Sequence, residues 1–187
     1  MNVVKQGMEQ HAEVLAAMAA RADEIAMLGG WWTETLEAGG TIFFCGNGGS
    51  AADAQHLAAE LVGRYHAERR ALPGIALTVD TSILTAVAND YSYARVFARQ
   101  IEALGRAGDL LVAISTSGNS ENVVAAAQAA TARDMRVIGL TGAAACELDC
   151  WATHVLHVPS TVTARIQEMH MMTGHIWCAM VDEHYAC

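Results

Sequence analysis

His56 and Glu60 stand four residues apart in a stretch of helical composition. That spacing stacks them one turn apart on a single face. A carboxylate beside an imidazole can move protons or share a metal ion; the same spacing also describes an ordinary surface pair. Near the other end of the chain the residues of interest are Arg165, Gln167, Glu168, His170 and His175. His170 and His175 differ by about 140° around a helix, so they cannot face one site. Gln167 and His175 differ by about 80° with a rise of about 12 Å. Their convergence on one metal requires long reach from both side chains or a bend, for which Gly174 is the candidate position. Asn89-Asp90 is read either as a turn or as a pair able to hydrogen-bond sugar hydroxyls.

Two further segments have the composition of anion-holding loops. Gly46-Asn47-Gly48-Gly49-Ser50 follows an apolar run and opens a helical stretch. Glycines let the backbone turn sharply and approach a ligand, and the free N–H groups at a helix start favour negative charge. It is neither a Walker A motif nor GxGxxG, lacking the Lys and the third Gly. Ser115-Thr116-Ser117-Gly118-Asn119-Ser120 repeats the strand–loop–helix context. An N-cap needs one hydroxyl or amide, whereas this loop has four hydroxyls able to donate to phosphate oxygens. Neither loop holds a basic residue, so a phosphate would be gripped by neutral dipoles.

The elements that must position these residues alternate. Residues 2–27 place apolar side chains at helical spacing, Gly29-Gly30 reads as a break, and residues 31–36 as a further helical piece. Short apolar runs at 41–45, 75–79, 110–114, 137–140 and 154–158 read as strands buried on both faces. Helical segments are expected at 51–65, 82–88, 93–104, 121–132 and 163–184. Strands separated by helices imply a parallel sheet covered on both sides, hence a three-layer α/β sandwich preceded by an N-terminal helical segment. Trp31-Trp32 are expected to pack, and the stripe Met169, Met172, Ile176, Met180 to lie in the core or a subunit interface.

With 187 residues, 53% of them apolar and 17% charged, the chain is a globular domain rather than a disordered or fibrous one. A net charge of −9 argues against unaided nucleic-acid binding, and a mean hydropathy of +0.23 argues for surface buried between copies. Five cysteines without a disulfide-like spacing suit a reducing cytoplasm. The Cys146/Cys150 pair has no second pair to complete a zinc tetrahedron. A polar amphipathic start and no apolar run of about 20 residues argue against a signal peptide or membrane span.

Taken in order, residues 45–60, Asn89-Asp90, residues 115–120 and residues 165–175 resemble the phosphoheptose isomerases, which are sugar isomerase (SIS) domain proteins. The resemblance covers nearly the whole chain. It implies one SIS domain over residues 1–187, a five-stranded parallel sheet, and a homotetramer with active sites between subunits, residues 1–37 serving oligomerisation. It implies conversion of D-sedoheptulose 7-phosphate to D-glycero-D-manno-heptose 7-phosphate, an early step toward bacterial lipopolysaccharide and surface-glycan heptose. Zinc ligands fall on His56, Glu60, Gln167 and His175. Substrate contacts fall on Asn47, Gly48, Gly49, Glu60, Asn89, Asp90, Ser115, Thr116, Ser117, Ser120 and Gln167. Glu60 is the candidate base and His175 its partner, because moving a proton between adjacent carbons through an enediol needs a base at the carbons and an acid at the oxygens.

Two positions depart from the family's pattern. Ala164 stands where some members have an Asp, and the loop 141–146 lacks extra glycines. A non-catalytic relative of the same fold, an adaptor that binds a replication initiator protein, has Asn in place of His175 and Arg in place of Ser117; the residues here favour the enzyme.

Overall fold

The computed structural model describes residues 2–186; Met1 and Cys187 lie outside them. Helices α1 (Val3–Ala19) and α2 (Ala22–Glu37) lead into β1 (Ile42–Gly46), α3 (Gly49–Val62), β2 (Gly74–Ala76) and α4 (Thr81–Asp90). A 3-10 turn at Tyr93–Arg95 is followed by α5 (Ala98–Leu104), β3 (Leu110–Ile114), α6 (Glu121–Thr131) and β4 (Arg136–Thr141). A second, Glu147–Cys150, precedes β5 (His154–His157) and the long α7 (Thr163–Tyr185). The strands pair in parallel in the order β2-β1-β3-β4-β5, the expected three-layer α/β sandwich.

Alternation along the strands divides the interior in two. Ile42, Phe44, Leu110, Val112, Ile138 and Leu140 pack under α1, α2, α3 and α7. Phe43, Cys45, Leu111, Ala113 and Val137 pack under α5 and α6. This is why β1 and β3 read as continuous apolar runs. Chain order reverses between β1 and β3, since β2 lies on one side of β1 and β3 on the other. Ligands of open α/β sheets bind at such a switch point, outside the carboxyl ends of the strands. Gly46 pairs with Ile114, so the loops that follow the two strands emerge side by side at the same level.

Three expectations need correction. Gly29-Gly30 does not break the N-terminal helices: α2 runs through both, and the break falls at Ala20-Arg21. A Cβ on Gly29 would lie 2.5 Å from Met180 Sδ and 2.7 Å from Trp177 Cδ1. That glycine therefore permits close approach of α2 to α7, where buried Trp177 also donates to the Ile25 carbonyl at 2.8 Å. Gly174 does not bend α7, which is a single helix; a Cβ there would meet Leu57 Cδ2 at 2.5 Å, so it admits α3 instead. Asn89-Asp90 is not a free turn but the last turn of α4. Trp32 is fully buried against Phe44 and Trp177 as expected. Met169 is core, while Met172, Ile176 and Met180 line an apolar groove against the alanines of α1 and α2.

Candidate active site

The first loop has the geometry of an anion cradle. Gly48, the residue capping α3, has φ +55° and ψ −119° and supplies no side-chain cap, which leaves the first N–H groups of α3 available. Gly49 is glycine for a different reason: a Cβ would stand 2.5 Å from the Gln167 amide nitrogen. The loop thus touches α7 directly. Asn47 forms a reciprocal amide pair with Asn122, both bonds 2.8 Å, and its Oδ1 also accepts from Tyr93 Oη at 2.9 Å. Asn122 is buried in the first turn of α6, so this pair ties the first loop to the second.

In the second loop the hydroxyls converge. Ser115 Oγ lies 3.0 Å from Ser120 Oγ and 3.4 Å from Ser117 Oγ, and accepts from Gly118 N at 3.1 Å. Ser120 occupies the N-cap of α6 without a side-chain cap bond. Its hydroxyl lies instead against that of Ser115, and the start of α6 opens on the same loop. The segment after β4 braces the loop: Gly142 N donates to Thr116 O at 3.1 Å, Leu148 N to Gly118 O at 3.2 Å, and Glu147 N to Asn119 Oδ1 at 2.8 Å.

The candidate acid–base residues come together from helices far apart in sequence. His56 Nε2 lies 3.0 Å from His175 Nε2, across 119 residues, and 3.2 Å from Glu60 Oε1. Tyr65 stacks on the His175 ring at 5.4 Å and 25°. His175, Gln167, Tyr65 and Asp53 line one open cavity of about 820 Å³. Cys178 stays a thiol, pushed up to about 12 by burial and by the Glu60 and Asp182 carboxylates.

Behind this cluster a nonhelical strap, residues 63–70, is fastened to α7. Asp182 Oδ2 accepts from His66 N at 2.6 Å and Ala67 N at 2.7 Å, and its Oδ1 from Arg69 Nε at 2.7 Å. The buried Arg69 guanidinium also donates to the carbonyls of Glu60 at 2.7 Å and Leu61 at 3.0 Å. Those carbonyls end α3 and have no intrahelical partner, so the ion pair fixes the turn that carries Glu60.

Of the sequence-derived site residues, His56, Glu60 and His175 are in mutual contact through His56, Gln167 shares the cavity with His175, and Asn47, Gly48 and Gly49 sit beside Ser115, Thr116, Ser117 and Ser120. Asn89 and Asp90 remain exposed and bond to each other at 2.8 Å. Asp53 was not singled out from sequence. Its buried Oδ2 has no partner, and its pKa is pushed up to about 6 by burial, against the pull of His56. The signal was present: Asp53, His56 and Glu60 follow i, i+3, i+7 on α3. Asn122, Tyr93 and Tyr65 carried no sequence signal of their own.

The donor spacing suits zinc in pairs. A tetrahedral zinc with bonds near 2.0–2.1 Å sets its ligand atoms about 3.3 Å apart, close to the 3.0 and 3.2 Å found at His56. Two facing imidazole nitrogens also need either one N–H or a bridging cation. Among the described residues no group of three His, Cys, Asp or Glu closes around a metal position.

The chain was compared with known proteins. An SIS domain profile matches residues 8–142. A phosphoheptose isomerase of Akkermansia muciniphila is 52% identical over 176 residues, 94% of this chain and 92% of that one. Phosphoheptose isomerase 1 of Campylobacter jejuni is 48% identical over 185 residues, 99% of this chain and all of that one. The solved structure of the phosphoheptose isomerase from Neisseria gonorrhoeae superposes with a TM-score of 0.91 at 42% identity, covering 96% of this chain and 97% of that chain. The chain belongs to the phosphoheptose isomerases of the SIS domain family.

Proposed function

We propose that the protein isomerises D-sedoheptulose 7-phosphate to D-glycero-D-manno-heptose 7-phosphate, with the reacting carbons between Glu60 and His175 and the phosphate in the hydroxyl loop. The observation that carries this reading is the meeting of His56 and Glu60 of α3 with His175 of α7. Glu60 takes a proton from C1 of the ketose while His175 protonates the C2 oxygen, giving the enediol. Return of a proton to C2, with loss of the C1 hydroxyl proton, yields the aldose. Asn47, Gly48, Gly49, Ser115, Thr116, Ser117 and Ser120 hold the phosphate and neighbouring hydroxyls through neutral donors. Asn89 and Asp90, exposed on α4, are assigned to sugar hydroxyls in the assembled protein.

Zinc is proposed on His56, Glu60, His175 and Gln167; because it would hold the Glu60 carboxylate and the His175 nitrogen that proton transfer uses, and four protein donors complete its tetrahedron, its role would be to organise the site rather than to act in turnover. We further infer a single SIS domain assembled as a homotetramer through residues 1–37, working in the cytoplasm at an early step of surface-glycan heptose synthesis. The apolar groove lined by Leu15, Met172, Ile176 and Met180 supports self-association, and among the described residues no helix is long and apolar enough to cross a membrane. The initiator-binding adaptor reading is not favoured, since the matching relatives are named as isomerases.

The test is turnover of sedoheptulose 7-phosphate in deuterated water. The aldose should form with deuterium at C2, and Glu60→Gln should abolish turnover while inorganic phosphate still binds. An unchanged ketose with the wild-type protein would sink the proposal.

A further inference from the structure

We propose that Tyr65 is a positioning residue for the reaction, setting the plane of the His175 imidazole; this rests on the reading of His175 as the acid–base partner of Glu60. A histidine ring turns about a broad two-fold torsion, and the wall of an open cavity does little to restrict it. Here two neighbours restrict it. His56 meets the ring edge-on, 5.1 Å between centroids at 62°, and Tyr65 covers one face at 5.4 Å and 25°. With that face covered, Nε2 lies 3.0 Å from His56 Nε2, an atom that is itself 3.2 Å from the Glu60 carboxylate.

Tyr65 lies on no helix or strand, so its own placement needs an account. The two residues after it are fixed through their backbone N–H groups to Asp182, and the His66 ring lies against it, 4.0 Å between centroids. Asp182 is in turn neutralised by buried Arg69. A buried ion pair contributes little net stability relative to apolar residues of the same volume. Its position is better explained by what it holds: the strap that carries Tyr65, the turn that carries Glu60, and the helix that carries His175. One device thus sets three distances that proton transfer depends on.

The experiment compares Tyr65→Phe and Tyr65→Leu with the wild-type protein in steady-state isomerase kinetics, alongside thermal midpoints and the carbon-bound proton resonances of the His175 ring. Tyr65→Leu is expected to lower kcat about ten- to hundredfold with KM little changed, and to move the His175 resonances downfield as the ring current is lost. Tyr65→Phe should restore both. A Leu variant with wild-type kcat, a Phe variant as impaired as Leu, or His175 resonances that stay in place would each overturn the proposal. A fall in thermal midpoint with kcat and KM intact would show Tyr65 to be merely structural, and also overturn it. Should the wild-type protein be inactive, the proposed reaction fails and the resonances alone decide the stack.

Discussion

Removing the Asp182 carboxylate should be among the most damaging single changes outside the catalytic cluster. Asp182→Ala leaves the Arg69 guanidinium, whose side chain is fully buried, without a counter-charge, and leaves the His66 and Ala67 N–H groups without the acceptor they meet at 2.6 and 2.7 Å. Breaking a buried pair in this way costs about 3–5 kcal/mol. That is about a fifth or more of a typical stability of about 5–15 kcal/mol, and corresponds to about 10 °C in thermal midpoint for a chain of this size. Burial by itself would raise the Asp182 pKa, but the two backbone N–H donors and Arg69 outweigh it and hold it below the usual carboxylate value. A depressed carboxylate pKa contributes stability above the unfolded-state value and loses it as pH falls through the folded one, so the pair survives mild acid. The assay is urea unfolding at fixed protein concentration for Asp182→Ala, Arg69→Met and the double variant Arg69→Met/Asp182→Leu. The double variant should recover most of the loss, because no charge is then left buried. A single-variant loss below about 1 kcal/mol, or a double variant as unstable as the two singles summed, would refute the reasoning.

Two further outcomes follow from buried groups. Burial depresses the His170 pKa to about 4, with the Thr141 carbonyl opposing it. The unfolded chain therefore binds the proton first as pH falls, and about 3 kcal/mol of stability should be lost between pH 6.5 and 4. Asp53 slopes the other way in the same window, so the measurement is the stability difference between the wild-type protein and His170→Gln, which should shift by about 3 kcal/mol against the wild-type protein between pH 6.5 and 4. Gly29→Ala should destabilise by about 1–3 kcal/mol through overpacking on Trp177 and Met180, whereas Gly30→Ala, with open space around its Cβ, should gain up to about 1 kcal/mol from helix propensity; paired thermal melts separate them.

The strands and both loops were legible because local rules and tertiary structure agree there. β3 occupies the predicted residues, and β1 is displaced by one. β2 was overlong in prediction: the apolar run 75–79 continues past Ala76, but as an edge strand it pairs only with β1, and the chain turns at Asp80 to cap α4. Gly29 and Gly174 misled because glycine weakens an isolated helix while serving the approach of a neighbouring one, and sequence order does not reveal the neighbour. The contact of Gln167 with the loop at Gly49 was hidden in the same way. Asn122, Tyr93 and Tyr65 act through partners 75, 46 and 110 positions away, separations at which no periodicity speaks.

The division of β1 between two interiors has a consequence for how such a protein can vary. Inserting or deleting one residue within the strand would send Phe43 and Cys45 to the side built for Ile42 and Phe44, emptying one interior and crowding the other. Length changes are therefore confined to the connections beyond the strand ends, such as the segment after β4, whose Gly142, Ala143 and Ala144 line a cavity with Thr116 and Ser117. New substrates can be tried at the mouth of the cleft while the frame that aligns the proton-transfer groups stays as it is.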